Sequence, residues 1–181
     1  GGALERLGAA GVSISERAIR HAADTPAIYL HLQLPEASAY HAPTLEAYPD
    51  LYTAPVRQRL ELGRYVLAED YVRARLGAEV LRREVDAALA DVDARVLPTV
   101  PIVAQPIGST SLTVSGLTLP VRALMLRLTQ LFNITGHPAI SLPCGRPAGG
   151  MPAGLQLVGR RGGTPQLLTL AAAVEEVVGS S

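Results

Sequence analysis

Three side chains toward the end of the chain could take part in nucleophilic chemistry: His137, Ser141 and Cys144. Many hydrolases attack a carbonyl carbon with a hydroxyl or thiol that a neighbouring imidazole activates. The spacing argues against such a site, because Ser141 and Cys144 would point to opposite faces of a strand and no G-x-S-x-G turn is present. We therefore expect Ser141 to be a buried small residue and Cys144 a buried thiol, with no catalytic role for either.

Two further groups of residues could bind ligands. His21, His31 and His41 recur every ten residues, which is not a metal-ligand spacing on a helix or a strand. Residues 159–164 (GRRGGT) precede a predicted helix and could surround an anion with backbone N–H groups. They lack the lysine of a P-loop, so we expect an ordinary strand-to-helix turn. We expect neither a metal ion nor a cofactor.

The composition restricts the partners and the compartment. The 181 residues carry 16 basic and 16 acidic side chains, interleaved along the chain, and every basic residue is an arginine. Without a field of one sign, nucleic-acid binding is disfavoured. A single cysteine demands no oxidising compartment, and the first twenty residues contain no uninterrupted apolar run. We expect a cytoplasmic protein that binds neither nucleic acid nor a membrane.

Helices and strands alternate in the pattern of apolar residues, which favours an α/β fold. Residues 40–55 and 109–120 lack a period and are predicted to be loops, and residues 145–152 a glycine-proline turn. Helices are predicted over residues 3–10, from Glu16 to about 34 with a break or restart at Pro26, over 55–93, over 121–132 and over 164–178. Strands are predicted at residues 95–104, 139–144 and 154–159.

Two segments near the end, residues 133–145 (NITGHPAISLPCG) and 151–159 (MPAGLQLVG), resemble the closing portion of the amidase signature family. Three weaker matches occur in the family's order: residues 36–38 (EAS), 56–67 (VRQRLELGRYVL) and 97–101 (LPTVP). The resemblance covers nearly the whole chain. It implies the C-terminal part of the amidase signature fold, with a mixed sheet flanked by helices, and a partial amidase domain over residues 1–181.

The resemblance also implies an activity. Members of this family hydrolyse amides with a serine nucleophile, a second serine held through a cis peptide and a lysine that passes the proton. No lysine occurs in this chain, so we expect the catalytic residues to lie outside it, in an upstream half. By motif position, Tyr29 and Arg59 resemble residues that approach the substrate in the amide-hydrolysing subunits of amidotransferases. They are the substrate-binding candidates, and a homodimer is a further expectation.

One departure from the family narrows the substrate. Glutamine-using amidotransferases carry an acidic residue upstream of the NITG motif, whereas residues 124–128 here are LMLRL. Enclosing an ammonium group without a counter-charge is costly. We therefore favour a general amidase acting on a small-molecule amide over a tRNA-dependent amidotransferase. A non-catalytic binding module that uses residues 40–55, and a partner-dependent subunit like those of amidotransferases, stay open as alternatives.

Overall fold

The computed structural model describes residues 2–114, 116–146 and 150–179. Within these residues lie seven α-helices: α1 (Gly2–Ala9), α2 (Thr25–Ala47), α3 (Ala54–Leu62), α4 (Ala68–Ala88), α5 (Val121–Leu126), α6 (Gln130–Thr135) and α7 (Thr164–Val178). Five strands accompany them: β1 (Arg95–Pro98), β2 (Ser111–Val114), β3 (Leu117–Pro120), β4 (Ala139–Pro143) and β5 (Gly154–Val158). The predicted mixture of helices and strands is confirmed.

The chain divides into two compact units. The helical unit, Arg20–Arg82, contains α2, α3 and most of α4. The sheet unit consists of the residues up to Ile19 and those from Arg83 onward, and it contains α1, the end of α4, all five strands and α5 to α7.

A three-stranded antiparallel sheet in the order β1-β5-β4 forms the centre of the sheet unit. The central strand β5 places Gln156 between Leu97 of β1 and Ser141 of β4. Side chains alternate between the two faces of a strand, so these three residues share one face. Strands β2 and β3 form a separate hairpin.

The opposite face of this sheet packs on α7 and α1. Buried residues of α7 recur at intervals of three and four, which places them in one stripe along the helix. The core consists of Leu7, Leu142, Leu155, Leu157, Leu167, Ala171, Val174 and Val178. The Arg6 guanidinium donates a hydrogen bond to the Val178 carbonyl at 3.1 Å, so α1 also satisfies the C-terminal end of α7.

The helical unit depends on a close approach between α2 and the turn after α3. A Cβ atom added at Gly63 would lie 2.2 Å from the Leu34 carbonyl oxygen and 2.7 Å from the Ser38 Cβ. Only glycine allows this approach. The small residue Ser38 of the EAS segment is buried here, so that segment has a packing role.

Two predictions for the first half of the chain were wrong. No helix begins at Glu16, because residues 12–19 have no regular structure. Pro26 does not break a helix but lies in the first turn of α2, where the missing N–H costs no hydrogen bond. The predicted loop at residues 40–55 is helical up to Ala47, although Pro43 lies inside α2.

Later boundaries also differ from the prediction. The loop predicted at residues 109–120 is the β2–β3 hairpin, where the Thr113 and Thr118 hydroxyls are 3.0 Å apart. Ser115, at its tip, lies outside the described residues, as does part of the glycine-proline turn predicted at 145–152. The helices predicted over residues 55–93 and 121–132 are each divided in two. In the described residues, no helix has the length and apolar character needed to cross a membrane.

Candidate functional site

The structure separates the side chains that could have formed a local nucleophilic site. Ser141 is exposed on β4 and its hydroxyl lies 2.6 Å from that of Thr99. The prediction that Ser141 is buried was therefore wrong. Cys144 is partly buried against the core on the other side of the sheet, and its thiol donates to the Ala153 carbonyl at 3.4 Å. The two residues face opposite sides, as their spacing predicts.

His137 is buried and both of its ring nitrogens have partners. Nδ1 lies 2.9 Å from the Thr135 hydroxyl and Nε2 lies 3.1 Å from Asp86 Oδ1. Asp86 also accepts two hydrogen bonds from the Arg161 guanidinium, at 3.0 and 2.7 Å. The Arg161 hydrogen bonds, with a smaller contribution from His137, hold the pKa of the Asp86 carboxyl below its usual value. The imidazole is thus directed at α4 and not at Ser141.

The arginine-rich turn between β5 and α7 has structural partners as well. The Arg160 guanidinium donates to the carbonyls of Leu89, Ala90 and Val92 at 3.0, 3.3 and 2.9 Å. These carbonyls follow the end of α4, where helical partners are missing. An open depression of about 770 Å³ lies beside this turn, but both arginines on its wall are engaged by the protein. The turn is the ordinary strand-to-helix connection that we predicted.

The helical unit brings the two substrate-binding candidates onto neighbouring elements. Tyr29 is half-buried on α2, and Gln33 follows one turn later on the same face. Arg59 of α3 donates a hydrogen bond to Gln33 Oε1 at 3.4 Å. This is near the upper limit for such a bond, so the guanidinium can exchange this partner for a ligand at little cost.

The same face of α2 continues to Glu36, and we call Tyr29, Gln33 and Glu36 the α2 polar face. The Tyr71 hydroxyl donates to Glu36 Oε1 at 2.9 Å. Tyr71 also hydrogen-bonds Arg75 and thereby raises the pKa of that guanidinium. Sequence reasoning missed Gln33 and Tyr71, although the i, i+4, i+7 spacing of the α2 polar face could have indicated the first of them.

The early histidines have local contacts. His31 Nδ1 lies 2.8 Å from the Ala27 carbonyl oxygen, one turn back on α2. His41 Nδ1 lies 3.0 Å from the Tyr52 hydroxyl, and the two rings meet edge to face. Among residues 2–114, 116–146 and 150–179, no group of three or more His, Cys, Asp and Glu side chains could hold a metal ion.

The segment that lacks an acidic residue is held against the sheet. Leu124 of α5 is buried and Arg127 is exposed. The Leu128 carbonyl accepts a hydrogen bond from Gln156 Nε2 at 3.2 Å, and Gln156 is only 4% exposed. The only charged side chain within residues 124–128 is therefore positive.

Comparison with known proteins places these features in a family. The family model described as Amidase matches residues 2–168. This chain belongs to the amidase signature family. An amidase from Pseudomonas putida is 37% identical over 146 residues, which cover 79% of this chain and 31% of that protein. The corresponding component of the glutamyl-tRNA(Gln) amidotransferase from Synechococcus sp. (strain CC9605) is 32% identical over 152 residues, which cover 78% of this chain and 29% of the relative.

A solved structure agrees with the sequence relatives. A crystal structure of an amidase superimposes with a TM-score of 0.89 at 31% identity, over 97% of this chain and 40% of that one. The present chain thus spans about a third of the length of the sequence relatives named here. Its recognisable closing segments, residues 133–145 and 151–159, form β4, β5 and the surroundings of His137.

Proposed function

We propose that this chain is the C-terminal part of an amide hydrolase whose serine, second serine and lysine lie outside the chain. Family membership and the complete lack of lysine in 181 residues support this assignment. The outer strands of the sheet, β1 and β4, each have one backbone edge that pairs with no described strand. Such edges need a cover, which the remainder of an amidase domain would provide.

The proposed reaction is acyl transfer to a serine followed by hydrolysis. The serine hydroxyl attacks the amide carbonyl carbon, and backbone N–H groups stabilise the resulting oxyanion. The C–N bond then breaks as the leaving amine takes a proton, and water releases the carboxylic acid. None of these groups is assigned to this chain, which contributes a scaffold and part of the pocket wall.

The α2 polar face is the proposed contribution to substrate binding. The observation that carries this part is the weak bond from Arg59 to Gln33, one turn from Tyr29. A guanidinium presents up to five N–H donors, so Arg59 can hold an amide or carboxylate oxygen of the substrate while Tyr29 supplies a hydroxyl and an apolar ring.

We propose a neutral small-molecule amide as the substrate, and a cytoplasmic location. Residues 124–128 expose Arg127 and offer no carboxylate to an ammonium group, which supports an amide without a free amine. The single cysteine, Cys144, is a free thiol, in keeping with a reducing compartment. Because one relative belongs to an amidotransferase, the second candidate is a partner-dependent subunit.

The test compares two forms of the protein. The purified 181-residue chain is expected to release no amine or ammonia from amides. The native protein, recovered from its source cells with an antibody against this chain, is weighed intact and assayed with a neutral amide and with glutamine. We expect hydrolysis of the neutral amide alone. Turnover by the isolated chain would show that catalysis does not need residues outside it, and glutamine turnover would favour the partner-dependent subunit.

A further inference from the structure

Helix α4 carries apolar side chains on two of its faces. One face is buried and consists of Ala74, Ala78, Leu81 and Val85. On the other, Val72, Leu76 and Val80 are 54%, 65% and 37% exposed. Their four-residue spacing forms a single ridge, which we call the α4 ridge. Exposed apolar surface with a polar border is typical of protein interaction sites.

Opposite charges flank the ridge symmetrically. Arg73 lies three residues before Leu76 and Glu79 three residues after it. At 3.6 residues per turn, the two side chains project about 60° to either side of Leu76. Their side chains are 70% and 50% exposed. The ridge therefore has a positive side and a negative side at equal distances from its centre.

We propose that the α4 ridge is the contact surface for a second copy of this chain. A two-fold axis that runs along the ridge exchanges its two sides. It places Arg73 of each copy opposite Glu79 of the other and brings the two ridges together. Helices that pack through such four-residue ridges cross at about −50°, and a contact of one surface with itself closes as a dimer.

The symmetry of the charges about Leu76 selects a second copy over an unrelated protein. An unrelated partner would need an independent match, whereas the two-fold axis supplies both opposite-charge contacts from one helix. The arrangement also has the usual anatomy of an interface, with an apolar centre and charges at the rim. A single helix crossing is small beside a stable interface of about 1,600 Å², so we expect a weak, concentration-dependent dimer.

Existing ion pairs on α4 do not oppose this contact. Arg73 lies 3.1 Å from Asp70 and 3.7 Å from Glu69 on its own helix, and Glu79 pairs with Arg82. Exposed pairs of this kind contribute little to stability. Arg73 and Glu79 can therefore share or exchange these partners in the dimer.

Sedimentation of the whole chain from micromolar to millimolar concentration tests the proposal. We expect a reversible monomer–dimer equilibrium. Leu76→Glu should raise the dissociation constant by about tenfold or more, because it brings two carboxylates together in an apolar contact. Leu51→Glu is the matched control: Leu51 is 77% exposed and lies outside α4, so this change should leave the equilibrium as it is.

A charge exchange supplies the second, sharper measurement. Arg73→Glu and Glu79→Arg should each weaken the dimer, because each places like charges at both rim contacts. The double variant should restore it, a result that a purely local effect on α4 would not give. A chain that is monomeric at every concentration would overturn the proposal. So would a dimer that is indifferent to Leu76→Glu, or a double variant no stronger than the single ones.

Discussion

The sheet unit and the helical unit use their polar side chains in different ways. In the sheet unit the polar residues of the recognisable motifs are buried and paired, as in the bonds from Gln156 to Leu128 and between His137 and Asp86. In the helical unit the α2 polar face is held by longer, more accessible bonds such as that from Arg59. Buried polar groups must be satisfied inside the protein, whereas accessible ones can exchange with ligands. The segments that identify the family therefore build the scaffold, and the proposed substrate contacts lie outside its strongest motifs.

The largest expected effect is on the packing of the helical unit. Gly63→Ala would place a Cβ 2.2 Å from the Leu34 carbonyl oxygen, and backbone atoms cannot move aside cheaply. We expect a loss of about 3 kcal/mol in the free energy of unfolding. All six tyrosines lie within Arg20–Arg82, so tyrosine fluorescence during urea unfolding reports on this unit alone.

Gly77→Ala is the matched control for that change. A Cβ at Gly77 would meet only the flexible end of the Ile28 side chain, at 2.8 Å, and alanine favours the helix by about 1 kcal/mol. We expect a change close to zero. Equal losses for both glycines would mean that the approach of α2 to Gly63 is not what holds the helical unit together.

The next effect tests the buried polar network of the sheet unit. Asp86→Asn should lower stability by about 1–2 kcal/mol at pH 7, a figure reduced for solvent screening because the Asp86 side chain is 36% exposed. Partial burial of Cys144 makes the rate of its modification by a thiol reagent a probe of opening in this unit.

The same pair of proteins has a defined pH dependence. The pKa of Asp86 is lower in the folded than in the unfolded chain, so its contribution is complete above the unfolded pKa of about 4 and declines as the pH falls further. The gap in stability between the natural chain and Asp86→Asn should therefore close below about pH 4. A gap that stays constant with pH would show that the carboxylate charge is not what the network uses.

The sequence predicts the elements of the sheet unit better than those of the helical unit, for a physical reason. Strands β4 and β5 and helix α7 are short, strongly patterned and bounded by glycine or proline, so local rules suffice. Helix α2 contains Pro26, Pro35 and Pro43, and a rule that ends helices at proline fails where packing supplies more stability than the lost hydrogen bonds.

The candidate site follows the same division. Tyr29 and Arg59 were found through the resemblance to a family, whereas Gln33 appears only when α3 is packed on α2. The bond between Arg59 and Gln33 joins residues 26 positions apart, and no local pattern encodes it. The β2–β3 hairpin was missed for a related reason, because its stability comes from the cross-strand pair of Thr113 and Thr118 and not from an apolar face.

A smaller effect is expected for the exposed hydroxyl pair on the sheet. Ser141→Ala removes the 2.6 Å contact with Thr99 on an accessible face, so the loss should be about 0.5 kcal/mol. Thr99→Val should cost a similar amount, and the two changes should be less than additive because they delete one shared interaction. Unfolding monitored through Cys144 measures both. A loss above about 2 kcal/mol for either would show that the pair is more buried than its exposure indicates.

The smallest effect on stability should accompany the proposed effect on function. Arg59→Ala breaks only the long bond to Gln33, so we expect a change within about 0.5 kcal/mol by tyrosine fluorescence. In the native amide hydrolase, the same change should raise KM about tenfold with little change in kcat, which is the pattern for a contact made equally in the ground and transition states. Arg57→Ala is the control, since Arg57 is on the same helix but pairs with exposed Asp50 at 3.4 Å. If Arg59→Ala instead destabilises the helical unit and leaves KM unchanged, the α2 polar face is scaffold as well, and the contrast between the two units disappears.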